Sequence, residues 1–438
     1  MDWWVSLVII FGSLILLFST GIPVAFGFMV INVVGVFIFW GGEVGLRQLT
    51  LSMFDSVTTF TLLPFPLFVL MGEILFQAGL AGRGIEAIDK LLGRLPGRLS
   101  LLSVASGVLL AALTGSSMAS CAVLGSLLVP EMEKRGYKKT MTIGPILGSG
   151  CLAIMIPPSG LAVLTASLAL ISVGGLLMAG IIPGLIMAAL FAGYIVIRCW
   201  LQPSLAPSYR VPPIPLAHKV GSAARDILPL GFVIFLVIGL IFLGIATPSE
   251  AAATGALGSF ILAACYRSLN WEIVKRSVLS ATKVAGMIMI ILAGSTAFSQ
   301  VLVFSGGTAA LIKVTAGLTL PPIVIIISMM AVLIFLGCLM DQVSMLMICL
   351  PIFMPVIQVL GFNELWFGLL LLINVEMGTI SPPFGMTLFV MKGVAPPDTT
   401  TGDLYRGAIP FLIIDLIVMG ICMAFPQTAL WLPSLIQA

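Results

Sequence analysis

The sequence predicts an all-α polytopic membrane protein built from two inverted-topology repeats, each with a re-entrant helical hairpin and a broken helix. Three observations predict it: the composition, a match of the chain with itself at a fixed shift, and the placement of the basic residues. The 438 residues are 60% hydrophobic and only 8% charged, against roughly 25% charged in a soluble domain. Apolar runs recur at 5–19, 22–40, 228–246 and 409–425, on the scale of the roughly 20 residues that cross a bilayer as helix. They show no dyad alternation, so the spans are helices rather than barrel strands. Trp3 and Trp4 suit an interfacial anchor, and no basic n-region or small-residue cleavage site marks the start as a secretory signal.

The self-match has a register of 225 residues, which sets Pro157 on Pro382, Gly160 on Gly385, Pro23 on Pro248, Pro130 on Pro355 and Gly136 on Gly361. Proline is scarce inside helices because it removes a backbone bond and clashes with the preceding turn. Shared hydrophobicity does not produce that register. The Pro-rich stretch 202–226 separates the halves, giving repeats 1–205 and 227–438 with a cytoplasmic linker at 206–226.

Inversion follows from counting crossings. The first half reads as spans 3–19, 22–40 and 58–79, a hairpin over about 100–129, a broken span over about 140–172 and a last span at 176–198. A hairpin that enters and leaves on one side leaves an odd number of crossings, which inverts the second half. Its hairpin is expected at about 322–355 and its broken helix at about 365–394. The charges follow that alternation. The segments 80–99 (Arg83, Lys90, Arg94, Arg98) and 131–139 (Lys134, Arg135, Lys138, Lys139), read as loops, are basic, while their mates at 305–322 and 356–364 hold only Lys313. Conversely 267–283 (Arg267, Lys275, Arg276, Lys283) is basic and its mate 42–58 holds only Arg47. Adding Arg198, Arg210, Lys219, Arg225, Lys392 and Arg406 puts 18 of the 20 Lys and Arg on one face. The positive-inside bias makes that face cytoplasmic and both termini periplasmic.

Chemistry is expected where the spans are interrupted. LTGSSMAS at 113–120 puts Gly115, Ser116, Ser117 and Ser120 at the tip of the first hairpin. Unwound backbone at membrane depth survives only if buried in protein or lining a cavity; plain small-residue helix packing is the bland alternative. IPPSG (156–160) and SPPFG (381–385) cannot continue a helix. Each break leaves a half-helix N-terminus for an anion and carbonyl ends for a hard cation such as Na⁺. The repeat mate of Ser116 is Asp341, an acid in FLGCLMDQVSMLMICL with no basic neighbour. An intramembrane carboxylate is a functional candidate by default, with capping of hairpin amides as its structural alternative. Gln342, Ser344, Thr379 and Ser381 add polar groups at the same depth, and Glu376, four residues before the second break's Ile380, joins them. Glu73 and Glu250 divide between helix-end bonding and gating; Arg47 and Arg406 suit interfacial anchors. The seven cysteines form no CxxC and the only histidine is His218, so neither a transition-metal centre nor a His-based catalytic site has material.

Jointly, LLPFPLFVLMGEIL (62–75), LTGSSMAS, IPPSG, TPSEAAATGA (247–256) and SPPFG resemble the large membrane subunit of tripartite ATP-independent periplasmic (TRAP) transporters, over nearly the whole chain. The resemblance implies a non-enzymatic, elevator-type secondary transporter in the bacterial inner membrane, with Na⁺ as coupling ion and no cofactor. It implies uptake of an organic acid (a C4-dicarboxylate, sialic acid or another sugar acid) delivered by a periplasmic solute-binding protein. It also implies a small four-helix membrane subunit, here expected as a separate chain, and no nucleic acid. Carried over by position, Ser116, Ser117, Ser120, Ser159, Asp341, Ser344 and Thr387 would bind substrate. Gly115, Ser116, Ile156, Pro157, Gly160, Met340, Asp341, Thr379, Ser381, Pro382 and Gly385 would bind Na⁺. With no arginine at mid-membrane depth, the substrate carboxylate is expected on hydroxyls, helix N-termini and bound Na⁺. The rival readings are a stand-alone Na⁺- or H⁺-coupled anion symporter of related two-hairpin architecture, a channel, and an intramembrane aspartyl hydrolase. The hydrolase would need a carboxylate pair, whereas the repeat mate of Asp341 is a serine.

Overall fold

The computed structural model describes residues 3–93, 95–207, 215–317 and 320–436, all of whose regular elements are helical. The first half runs α1 (Trp3–Ser19), α2 (Val24–Phe39), α3 (Glu43–Thr58), α4 (Pro64–Gln77), α5 (Leu80–Leu91), α6 (Arg98–Thr114), α7 (Ser117–Lys134), α8 (Lys139–Met155), α9 (Gly160–Ala169) and α10 (Val173–Leu201). After α11 (Leu216–Ser222), a π-helical turn leads into α12 (Leu228–Phe242). There follow α13 (Pro248–Cys265), α14 (Trp271–Phe304), α15 (Gly307–Gly317), α16 (Pro322–Gly337), α17 (Gln342–Val359), α18 (Glu364–Ile380), α19 (Met386–Val394), α20 (Thr401–Ala424) and the short α21 (Gln427–Leu430). The bounds of α7 and α17, and of α8 and α18, differ by 225 residues at both ends. Among the described residues six helices are long and apolar enough to cross a membrane, or seven if α8 and α9, bent by 48° at their break, count as one.

Four segments read as loops from their charge are helical. The stretch 42–58 holds α3, 80–99 holds α5, 305–322 holds α15, and 267–283 is the start of the 34-residue α14. Their polarity hid them. In α3 only Gly45, Leu49 and Ser52 are buried, and in α5 Leu80, Ala81, Gly84, Ile85 and Ala87: each is a single stripe at helical spacing, with charges on the opposite face. The halves also differ between α3 and α4, where a 3₁₀ turn at Phe60–Leu62 and Pro64 interrupt what α14 continues as one helix. The residue of α14 in register with Pro64 is Met289, which keeps its backbone bond. Of the basic positions, Arg94 and Arg210 lie outside the described residues, as does 208–214 of the linker.

Burial divides the molecule into centre and periphery. Every residue of α8 from Met141 to Met155 is buried, and every residue of α18 from Trp366 to Ile380. Around α8 pack α6, α7 and α20, and around α18 pack α16, α17 and α20. Small residues permit the approach, since a side chain at Gly144 would meet Phe411 of α20 at 2.7 Å. Buried polar groups cross between helices: the Trp366 indole donates to the Cys422 carbonyl (2.7 Å) and Asn374 to the Met330 carbonyl (2.9 Å). By contrast α1, α2 and α12 turn Ile15, Phe26, Phe37, Phe232 and Phe235 outward. Such a face suits hydrocarbon rather than water.

Candidate functional site

The first hairpin reverses at Gly115, whose φ of +58° lies in the left-handed region that glycine enters without penalty. Ser116 then takes extended backbone and caps α7, its Oγ accepting from the Ala119 amide at 3.4 Å. Against this tip lies the first break. Ile156 ends α8, the Pro157–Pro158 bond is cis, and Ser159 caps α9 by accepting from the Ala162 amide (3.3 Å). A side chain at Gly115 would sit 3.5 Å from the Gly160 amide nitrogen, and one at Gly160 would strike Phe65 of α4 at 2.8 Å. Tip, break and α4 therefore meet.

The second half uses the same parts with different side chains. Asp341 stands where the first tip has Ser116, and its Oδ2 accepts from the Val343 (3.1 Å) and Ser344 (3.0 Å) amides, capping α17. The Ser344 hydroxyl donates to the other oxygen. Met340, partly buried, precedes it. The second break carries cis Pro382–Pro383, and Ser381 donates to the Met377 carbonyl at 2.7 Å. The Pro382 carbonyl takes the Cys338 thiol (3.3 Å). Gly385 is held against the Thr379 carbonyl, leaving no room for a side chain. Gly337 and Gly378 touch backbone to backbone, a Cβ on either lying 2.7 Å from the other's Cα.

The two tips meet at Glu376. Ser117, first residue of α7, donates to Glu376 Oε1 at 2.5 Å, and Gln342, first residue of α17, donates to the same oxygen at 3.1 Å. Gln342 also reaches Ser117 Oγ at 3.3 Å, and Thr379 donates to the Glu376 carbonyl oxygen at 2.8 Å. Ser117 and Gln342 are themselves mates in the 225-residue register. Ser117 and Glu376 are each 1% exposed and Gln342 is partly buried, so the shared oxygen is buried and satisfied internally.

A cavity of about 310 Å³ lies beside the first tip. Its wall takes in Gly115, Ser116, Pro158 and Gly160 from the tip and break, and Phe65, Phe68, Glu73 and Phe76 from α4. Glu73 accepts from Ser280 of α14 at 2.8 Å. Asp341, Ser344 and Thr387 are not on this wall. Thr387 is fully buried, and Ser120 likewise. A larger cavity of about 430 Å³, lined by Thr59, Thr61, Ser167, Ser295, Thr296, Pro351, Gln358 and Glu364 among others, includes none of the residues expected at the site. No group of three or more His, Cys, Asp or Glu side chains is placed to hold a metal among the described residues.

Two buried features were not expected. One is the joint role of Ser117, Gln342 and Glu376, whose signal was an acid one turn before a helix break. The other is Asp415 in α20, fully buried beside Cys151 of α8. Its signal was an acid within FLIIDLIVMG, but its register mate is Leu190, so a comparison keyed to paired special residues passes over it.

Residues 11–428 match the family described as the tripartite ATP-independent periplasmic transporter, DctM component. The chain belongs to that family. It is a transport permease subunit with several membrane-spanning helices, not an enzyme. Two C4-dicarboxylate TRAP transporter large permease proteins are each 31% identical to it. That of Pseudomonas aeruginosa aligns over 89% of this chain and 90% of its own length, and that of Rhodobacter capsulatus over 98% and 99%. A 2,3-diketo-L-gulonate TRAP transporter large permease protein of Escherichia coli is 27% identical over 96% of this chain and 97% of its own. Among solved structures, the Alcanivorax borkumensis YdaH transporter superposes with a TM-score of 0.65 at 16% identity, covering 88% of this chain and 90% of that one. MtrF of Neisseria gonorrhoeae gives 0.60 at 16% identity, over 89% and 85%. Both share the fold with this permease.

Proposed function

We propose that this permease takes up an organic acid, a C4-dicarboxylate or a sugar acid, together with Na⁺. A periplasmic binding protein delivers the acid and a small four-helix subunit braces the static helices. The relatives' substrates support the acid; the hairpins and breaks support the ion. The observation that carries the reading is the meeting of two hairpin tips at Glu376, with the first break lining a cavity beside the first tip. Freed carbonyls near Ile156, Thr379 and Ser381 suit a hard cation, and the Ser116 and Ser159 helix starts suit a carboxylate.

The halves are inverted repeats, and the hairpins with α8, α9, α18 and α19 move as one body against α1–α4 and α12–α14. The cavity beside Gly115 runs along α4 toward Phe76 and meets Val284, next to Lys283, so it opens to the basic, cytoplasmic face. The test is uptake by proteoliposomes holding the chain, its small subunit and its binding protein, with an inward Na⁺ gradient. Uptake is expected only with both. Equal uptake by the chain alone would sink the tripartite reading, and indifference to Na⁺ would sink the coupling.

A further inference from the structure

Pro229, the second residue of α12, has no N–H to give the Arg225 carbonyl four residues before it. The π-helical turn Ala223–Ile227 forms there, and the Tyr266 hydroxyl, at the end of α13, donates to that carbonyl. The same tyrosine carries Arg83 of α5, whose guanidinium carbon lies 5.2 Å from the ring centroid. α5 is wedged at this junction: a side chain at Gly84 would strike Leu109 of α6 and meet Leu230 of α12 at 3.3 Å. Just past its end, a side chain at Gly93 would lie 3.8 Å from the Lys219 ammonium of α11, so α5 runs back along α11 and the turn. Arg83 and Arg225 are thus held around one ring, and both are exposed.

Charge and apolar surface meet at this corner. Lys90 of α5, Lys219 and Arg267 add positive charge to Arg83 and Arg225. The acids on α5, α11 and the turn are Glu86, Asp226 and Asp89, the last paired with Arg98 at 2.8 Å. Beyond the turn, Leu228, Phe232 and Phe235 of α12 are spaced as one helical stripe, each at least 60% exposed. The stretch Ala217–Phe242 is the least buried of the candidate spans among the described residues. A cationic cluster at the head of a hydrocarbon-facing stripe fits an amphiphile with an anionic head and acyl tails. A free phosphate would satisfy the bases and leave the stripe bare. We propose that Arg83, Arg225 and Tyr266 form a headgroup site for an anionic phospholipid. Its phosphate rests on the two guanidinium groups, and its acyl chains lie along Leu228, Phe232 and Phe235. Tyr266 is a positioning residue, presenting Arg83 and fixing the turn that carries Arg225. The bound lipid pins α5, the link from α4 to the first hairpin, to the start of α12.

Native mass spectrometry of the purified full chain in non-ionic detergent tests this, with dioleoylphosphatidylglycerol and dioleoylphosphatidylcholine as probes. The unmutated chain is expected to hold one phosphatidylglycerol about tenfold more tightly than phosphatidylcholine, and to keep it in excess inorganic phosphate. Arg83→Gln and Arg225→Gln should each weaken that binding about fivefold. Tyr266→Phe, which keeps the ring against Arg83, should lose less than Tyr266→Leu. Arg276→Gln, which removes an exposed base of α14 paired with Glu272, should leave the binding unchanged. Equal retention of the two lipids by the unmutated chain would overturn the site, as would an equal loss in Arg276→Gln. Displacement by inorganic phosphate would overturn it in favour of a plain anion site. Displacement on adding the small membrane subunit would overturn it in favour of a protein contact.

Discussion

The two cavities are bordered by matched parts of the chain, yet they touch their hairpins at different places. The smaller lies between α4 and the tip of the first hairpin at Gly115, Ser116 and Ala119. The larger lies along Leu292, Ser295 and Thr296 of α14, the register mates of residues in α4. It meets the second hairpin at Leu350, Pro351, Met354 and Gln358, two to four turns beyond the tip. One opening reaches the site and its counterpart stops short of it. The matched halves are thus asymmetric here: the first tip lines the smaller cavity and the second tip lines neither of the two.

The largest effect breaks or confirms that comparison outright. In a chain stripped of its native cysteines, Val69→Cys with Ala119→Cys spans the smaller cavity, and its crosslink should form in the arrangement seen here. The register-mated pair, Gly294→Cys with Ser344→Cys, should crosslink only in the alternative arrangement. Identical yields for both pairs under every Na⁺ and substrate condition would remove the sliding body.

Next come the tips themselves. The second is packed backbone to backbone at Gly337 and Gly378, so Gly337→Val should cost about 3 kcal/mol, the upper range of overpacking, seen as a lowered midpoint of thermal unfolding in detergent. Ser117→Ala removes the shortest of the bonds to Glu376 and should cost about 1–3 kcal/mol, with uptake slowed by about tenfold or more. Gly115→Ala meets nothing closer than 3.5 Å and pays only for its φ of +58°, about 1–2 kcal/mol. A Gly337→Val variant more stable than Gly115→Ala would reverse the contrast between a packed tip and an open one.

The smallest effect lies at the start of α8, where the Lys139 ammonium at 2.7 Å holds the Asp398 carboxyl below its ordinary range. A depressed carboxyl pKa stabilises the folded state above the unfolded value and ceases to do so as pH falls through the folded one. The unfolding midpoint of Lys139→Gln should therefore lie slightly below the parent's at neutral pH and converge on it in acid. Asp398 is exposed, so the difference should be small.

The parts written in local backbone chemistry were legible from sequence. Pro-Pro-x-Gly breaks, a Gly-Ser-Ser tip and an acid in an apolar run each act through their own neighbours: the helices end at the breaks, the chain reverses at Gly115, and Asp341 caps α17, its structural alternative. The helices α3 and α5 were not legible as helices, because a narrow buried stripe under a polar face looks like a loop to any measure of average hydropathy. The knot at Glu376 was not legible either. Its donors Ser117 and Gln342 lie 259 and 34 residues away, and only the folded chain brings them to one oxygen. Asp415 shows the reverse case, a plain local signal missed because it has no counterpart in the other half.

That shared oxygen has a consequence for leakage. Two tips free to move separately have an arrangement in which both sides of the membrane stand open at once, and an ion gradient discharges through it. Here each tip comes from a different half and holds the same carboxylate through its first helical residue. Neither can leave without stripping a donor from a buried carboxyl. Parting of either tip from that carboxyl thus costs a buried hydrogen bond while the other tip keeps its own.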